Sequence, residues 1–204
     1  MAYTLEELVA RSAPLEELAA ACDAMPVDER DAQVLSLWRR SIARLYELAA
    51  PGACQAAPAE LALLVPSDVP AGHTVDWSGK NSLPAFSHFH KRFTRSMEPD
   101  ALVGMNAQWS KFATGPGYFT AVISAEHPQE ILFDYTRYPE QAPPGWPELH
   151  RNESGIGALV YGGMRDFVRP VGHHVLVGAA FKSTGESRNA YFALTRGGTL
   201  PIGN

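Results

Sequence analysis

The sequence predicts an α+β fold in which N-terminal helices pack on an antiparallel β-barrel, and three observations carry that expectation. Apolar residues recur at helical spacing through about residue 50 and then alternate with period two beyond Gly72. Toward the C-terminus three β-type runs, Ala158 to Arg169, His174 to Lys182 and Ala190 to Arg196, are joined by Pro170-Val171-Gly172 and by Thr184-Gly185-Glu186-Ser187. Connections that short join antiparallel neighbours. Finally, Arg165, Asp166 and Arg169 put ionisable groups on both faces of the first of these runs. A sheet packed on an ordinary core keeps one face apolar, so a barrel with a partly polar inside fits better.

In chain order, Thr4-Leu5-Glu6-Glu7 reads as a capping box ahead of Leu8 and Val9, and Pro14 opens a second apolar set at Leu15 and Leu18. A third helix is expected from Asp28 through Ala50, with Val34, Leu37, Trp38, Ile42, Leu45 and Leu48 on one stripe. That stripe needs a partner surface, either the barrel wall or a second copy in a homodimer. Residues 1–52 thus form a helical segment, and the Pro-, Ala- and Gly-rich residues 53–72 read as a linker. Residues 73–204 form the barrel domain. Its first strand is His73 to Lys80, after which Ser82-Leu83-Pro84 and the spacing of Phe86, Phe89, Phe93 and Met97 predict an inserted helix over about 83–97. Strands follow at Ala101 to Phe112, Tyr118 to Ala125 and Glu130 to Tyr138, which makes seven in all. Strands joined by tight turns close most naturally into an up-and-down barrel. A long connection, residues 139–157, is expected to be a loop anchored by Trp146.

Composition narrows the functional classes. The 204 residues carry a net charge of -5, which opposes a polyanionic partner, so nucleic acid is not expected. Neither a secretory leader nor an apolar run long enough to span a bilayer is read, and a cytoplasmic protein without a membrane partner is expected. Cys22 and Cys54 read as free structural thiols. No nucleophile elbow, phosphate loop or dinucleotide fingerprint is present, and no cofactor is expected. His88-Phe89-His90 would share a face on a strand, but on the expected helix the two histidines diverge, so no metal site is predicted.

The residues Trp77-Ser78-Gly79-Lys80, Val160-Tyr161, Asp166-Phe167-Val168-Arg169, Val177-Gly178-Ala179-Ala180 and Tyr191-Phe192-Ala193-Leu194 together resemble a bacterial and fungal family of the GXWXG type, whose activity is unassigned. The resemblance covers the end of the chain and one short element near its middle. It implies a lipocalin-like barrel.

The expected function is binding of an apolar or aromatic small molecule inside the barrel. Trp77, Trp109, Tyr118, Tyr135, Tyr161 and Tyr191 are its expected lining, with Asn106 and Arg165 as polar contacts. The alternative is a cofactor-independent acid-base isomerase, cyclase or lyase acting on a small carbonyl or polyketide- or terpenoid-like substrate. In that case Asp166 or His88 would be the acid or base, and Lys80 or Arg169 would stabilise the anion. The competing structural explanation for the charged groups is an ion pair between Asp166 and an arginine from a neighbouring strand, or simple exposure on the outer face.

Overall fold

The computed structural model describes residues 3–50, 59–84, 87–107, 117–149 and 162–201. Among the described residues four α-helices precede a closed barrel: α1 (Leu5–Ala10), α2 (Leu15–Ala24), α3 (Val27–Ser36) and α4 (Arg39–Leu48). The strands are β1 (His73–Asn81), β2 (His88–Arg95), β3 (Leu102–Asn106), β4 (Gly117–Ile123), β5 (Ile131–Asp134), β6 (Met164–Pro170), β7 (Val175–Lys182) and β8 (Ser187–Pro201). They pair antiparallel in sequence order, and β8 returns to β1 to close the sheet. Closure leaves no unpaired edge.

Two elements differ from the sequence expectation. The inserted helix over 83–97 is instead β2, the strand that raises the count from seven to eight. Phe89 and Phe93 are four residues apart, a spacing that fits both a helical stripe and one face of a strand, and pairing with β1 and β3 settles it as a strand. The single helix over Asp28 to Ala50 is broken at Leu37 and Trp38, both of which take extended backbone angles. Glu6 of α1 explains the break. Its carboxylate accepts from the Trp38 amide at 3.2 Å and from the Ser41 hydroxyl at 2.5 Å, capping α4 from another helix.

The helices spend their apolar stripe on the barrel wall. Leu5, Leu18, Val34, Leu37 and Leu45 pack with Val175, Val177, Ala179 and Ala193, the outward residues of β7 and β8. Apolar residues on both faces of β7 follow from this, since its inner face is in the barrel and its outer face lies under helices. Cys22 is buried in the same layer, and burial pushes its thiol up to about 12. Cys54 lies outside the described residues. Among the described residues no helix is long and apolar enough to cross a membrane.

The segment read as a linker is in part a plug. Leu64, Val65 and Val69 join the barrel core, and the Trp77 indole N–H donates to the Leu64 carbonyl at 3.2 Å. Arg95 donates to the carbonyls of Val69, Pro66 and Ser67 at 2.7, 3.1 and 3.1 Å. The apolar run Leu61 to Val65 seats on the barrel core through Leu61, Leu64 and Val65. Of residues 53–72, those at 53–58 lie outside the described set.

Inside, three glycines are each paired across the sheet with a phenylalanine: Gly79 with Phe89, Gly104 with Phe119, and Gly178 with Phe192. Each ring occupies the space a side chain at its glycine would need, and a Cβ added at Gly104 would stand 2.2 Å from the Phe119 ring. The missing side chains make room for the rings that fill the barrel. Phe119 in turn stacks on Phe133 at 5.0 Å, and Phe93 meets both. Gly104→Ala is therefore expected to lower unfolding free energy by about 1–3 kcal/mol through overpacking. Urea denaturation would show it as a lower midpoint with an unchanged m-value.

Candidate functional site

Strand alternation sorts the charged residues of the barrel without ambiguity. On β6, Met164, Asp166 and Val168 point inward, whereas Arg165, Phe167 and Arg169 point outward. On β2, Phe89, Lys91 and Phe93 are inward and His88, His90 and Arg92 outward. The inward set brings together Lys91, Asn106, Tyr135 and Asp166. Lys91 lies directly opposite Asn106 in the β2–β3 register, and Tyr135 follows β5 beside the start of β6.

These four form a buried polar cluster. Lys91 Nζ donates to Asn106 Oδ1 at 2.8 Å, to the Tyr135 hydroxyl at 2.5 Å and to Asp166 Oδ2 at 3.4 Å. The Tyr135 hydroxyl also accepts from Asn106 Nδ2 at 2.9 Å. An ammonium has three protons, and three acceptors surround this one, so each proton of the charged form has a partner. Around it stand the rings of Phe89, Phe119, Phe133, Tyr135 and Phe192, all 4.8–5.6 Å from Nζ. Burial brings the Lys91 pKa down to about 8, with Asp166 opposing the shift. Burial likewise raises the Asp166 carboxyl above its ordinary value, opposed by Lys91 and by the hydrogen bond with Tyr135. Asp166 Oδ1 is buried and has no hydrogen-bond partner.

The cluster lies toward the barrel end opposite the plug and lines a cavity of about 580 Å³. Phe89, Phe192, Met164, Ala180 and Ala190 form its apolar walls, while Lys182, Glu186 and Arg188 stand among its outer residues. A second hollow of about 640 Å³ lies beside the plug, lined by Glu60, Asp68, His173, His174 and Arg196 among others. Its charged groups are exposed or half-buried, and burial lowers the proton affinity of His174 and Arg196 without enclosing them as Lys91 and Asp166 are enclosed.

The remaining expected site residues are placed elsewhere. Arg169 is on the outer face, where it donates to Glu130 at 2.7 Å and to the Tyr46 carbonyl at 2.7 Å and stacks on the Tyr46 ring. It ties α4 to the barrel and does not reach the cavity. Arg165 is also outward, beside Asp134 at 3.5 Å. Lys80 and His88 face each other across β1 and β2 on the outside. Consequently none of these four shares an enclosed space with Asp166. Trp77 is inward but packed in the core, its N–H spent on the plug. Tyr118 is outward, against Trp146, and donates to the Pro147 carbonyl at 2.5 Å; burial pushes its hydroxyl up to about 12. Tyr191 is outward against Tyr46. Trp109 and Tyr161 lie outside the described residues. Asn106, Tyr135 and Asp166 do line the cavity. Lys91 was missed because the helical reading of 83–97 removed it from the strand alternation, although Phe89-x-Lys91-x-Phe93 carries the period-two signal. As for metal ligands, no cluster of three or more His, Cys, Asp or Glu occurs among the described residues.

Removing one partner of this pair strands the other charge among aromatic rings. Lys91→Met is expected to cost about 3–5 kcal/mol, and Lys91→Met combined with Asp166→Leu less than Lys91→Met alone. Chemical denaturation of the two variants and the parent gives the comparison. The pair also sets a pH dependence. With a folded pKa of about 8 against 10.5 for the free group, the unfolded chain binds more protons between these values. The contribution of Lys91 to stability therefore rises with pH across that window. Unfolding free energies of the parent, minus those of the doubly substituted chain, should increase from pH 8 to pH 10.

The chain matches no protein-family model, and no curated protein is significantly similar to it.

Proposed function

We propose that this protein binds a small, mainly apolar or aromatic molecule in the open end of its barrel, and that it is related to the GXWXG-type lipocalin-like family. The observation that carries the reading is the 580 Å³ cavity itself, with aromatic and aliphatic walls over a desolvated polar floor. Pockets of this size, mostly apolar with a few convergent polar groups, suit small organic ligands. An eight-stranded barrel is wide enough either to be filled by its own side chains or to hold one ligand. Here the plug-side half is filled by Phe93, Phe119 and Phe133, which leaves the other half for a guest.

The enzyme alternative has one observation in its favour, the raised proton affinity of Asp166 beside an ammonium. In that reading Asp166 removes a proton next to a substrate carbonyl and Lys91 stabilises the resulting enolate. Binding is preferred because every Lys91 N–H is already engaged by Asn106, Tyr135 and Asp166, so Lys91 itself has no donor free for an enolate.

A thermal-shift screen of neutral and charged aromatic and terpenoid compounds tests the reading, since a ligand that binds only the folded state raises the melting temperature by mass action. Compounds that stabilise the parent are expected to lose their effect in Ala180→Trp, which fills the cavity. If no compound binds, or if Ala180→Trp binds as the parent does, the cavity is not the site. Mass analysis of each stabilising compound after incubation then separates carrier from enzyme, with unchanged compound expected.

A further inference from the structure

Hydrogen-bond accounting in the cavity floor specifies the chemistry of the guest. Lys91 presents three donors, and all three are engaged by Asn106, Tyr135 and Asp166. Asn106 uses its oxygen on Lys91 and one N–H on the Tyr135 hydroxyl. The Tyr135 hydroxyl accepts from both and is itself hydrogen-bonded to the Asp166 carboxylate. What remains is an acceptor, Asp166 Oδ1, on a side chain only 3% exposed. A buried acceptor without a donor is costly, and a guest that supplies the donor relieves that cost. A guest carboxylate does the opposite. Beside Asp166 it would bring a second negative charge and find every Nζ proton engaged; a further cation lining the cavity, Arg188, already acts on the Asp166 carboxylate.

A cationic amine is disfavoured for the complementary reason. The ring cage that would hold it already surrounds Lys91, with five rings within 5.6 Å of Nζ. Two like charges would then share one carboxylate.

We infer that the ligand is a neutral molecule with a hydroxyl or N–H group, such as a phenol or alcohol, that donates to Asp166 while its apolar body lies between Phe89, Phe192, Met164 and Ala180. This rests on the binding reading above and adds to it a sign: the site selects a donor and rejects a carboxylate.

Three probes with the same ring system isolate the contact: 2-naphthol, which donates; 2-methoxynaphthalene, which does not; and 2-naphthoate, which is anionic. Binding of each to the full chain at pH 7 is measured by titration calorimetry or by naphthalene fluorescence. The naphthol is expected to bind at least about tenfold tighter than either of the others, the discrimination expected of a hydrogen bond to a charged group. In Asp166→Asn the advantage of naphthol over naphthoate is expected to shrink toward parity, because the repulsion is gone and the acceptor is weaker. Equal or tighter binding of the methoxy compound overturns the donor contact, and equal or tighter binding of naphthoate overturns the exclusion of carboxylates. Should none of the three bind while other screened compounds still occupy the cavity, the donor rule is wrong and the cavity reading stands. Failure of every compound in the screen instead removes the cavity reading, and this inference with it. The probe comparison on the parent protein is decisive even if the Asp166 variant does not fold.

Discussion

A desolvated ammonium governs the inside of this barrel. An ionised amine without compensation is unaffordable in an interior of phenylalanine rings, so Lys91 requires acceptors on several sides at once. Those acceptors come from three different places in the sheet: Asn106 at the end of β3, Tyr135 just after β5 and Asp166 on β6. A one-residue slip of β2 against β3 would turn Lys91 to the outer face and Phe89 and Phe93 with it. The same slip would uncouple the polar cluster and the aromatic core together. Register is thus held by two requirements that agree, one electrostatic and one steric, the latter visible where Phe119 covers Gly104 and Phe192 covers Gly178.

Much of the architecture was legible because its signals are local. Alternating apolar residues mark the strands, tight turns make them antiparallel, and a stripe such as Val34, Leu37, Ile42 and Leu45 marks helices that need a wall. The cluster was harder to read. Phe89 and Phe93 satisfy two periods at once, and the charge on Lys91 disguises its place between them as an inward position. Parity would have sorted the other charges. Asp166 and Arg169 are three apart on one strand and so oppose each other, as do Trp77 and Lys80. A lysine or arginine on the same strand at odd spacing from an inward carboxylate cannot be its partner. The break between α3 and α4 had no local signal, since it depends on Glu6, distant in the chain.

Two buried carboxylates show how a shared degree of burial can serve opposite ends. Glu130 and Asp166 are each 2% exposed. Glu130 meets Arg169 at 2.7 Å on the outer wall, with the Tyr46 hydroxyl at 3.5 Å, and the arginine goes on to the Tyr46 carbonyl and ring. These groups on α4 and β6 both reach Oε1, and through them Glu130 holds the helical layer to the barrel. Asp166 is met by Tyr135 and by a lysine whose other donors are already committed, while its Oδ1 has no partner. Folding therefore commits the outer pair to the helical layer and leaves Asp166 Oδ1 inside without a partner. Because that missing bond is an acceptor lining a cavity with apolar walls, the molecule that completes it has to bring both a donor and an apolar body. A partner lacking either would leave part of the cost of burying Asp166 in place.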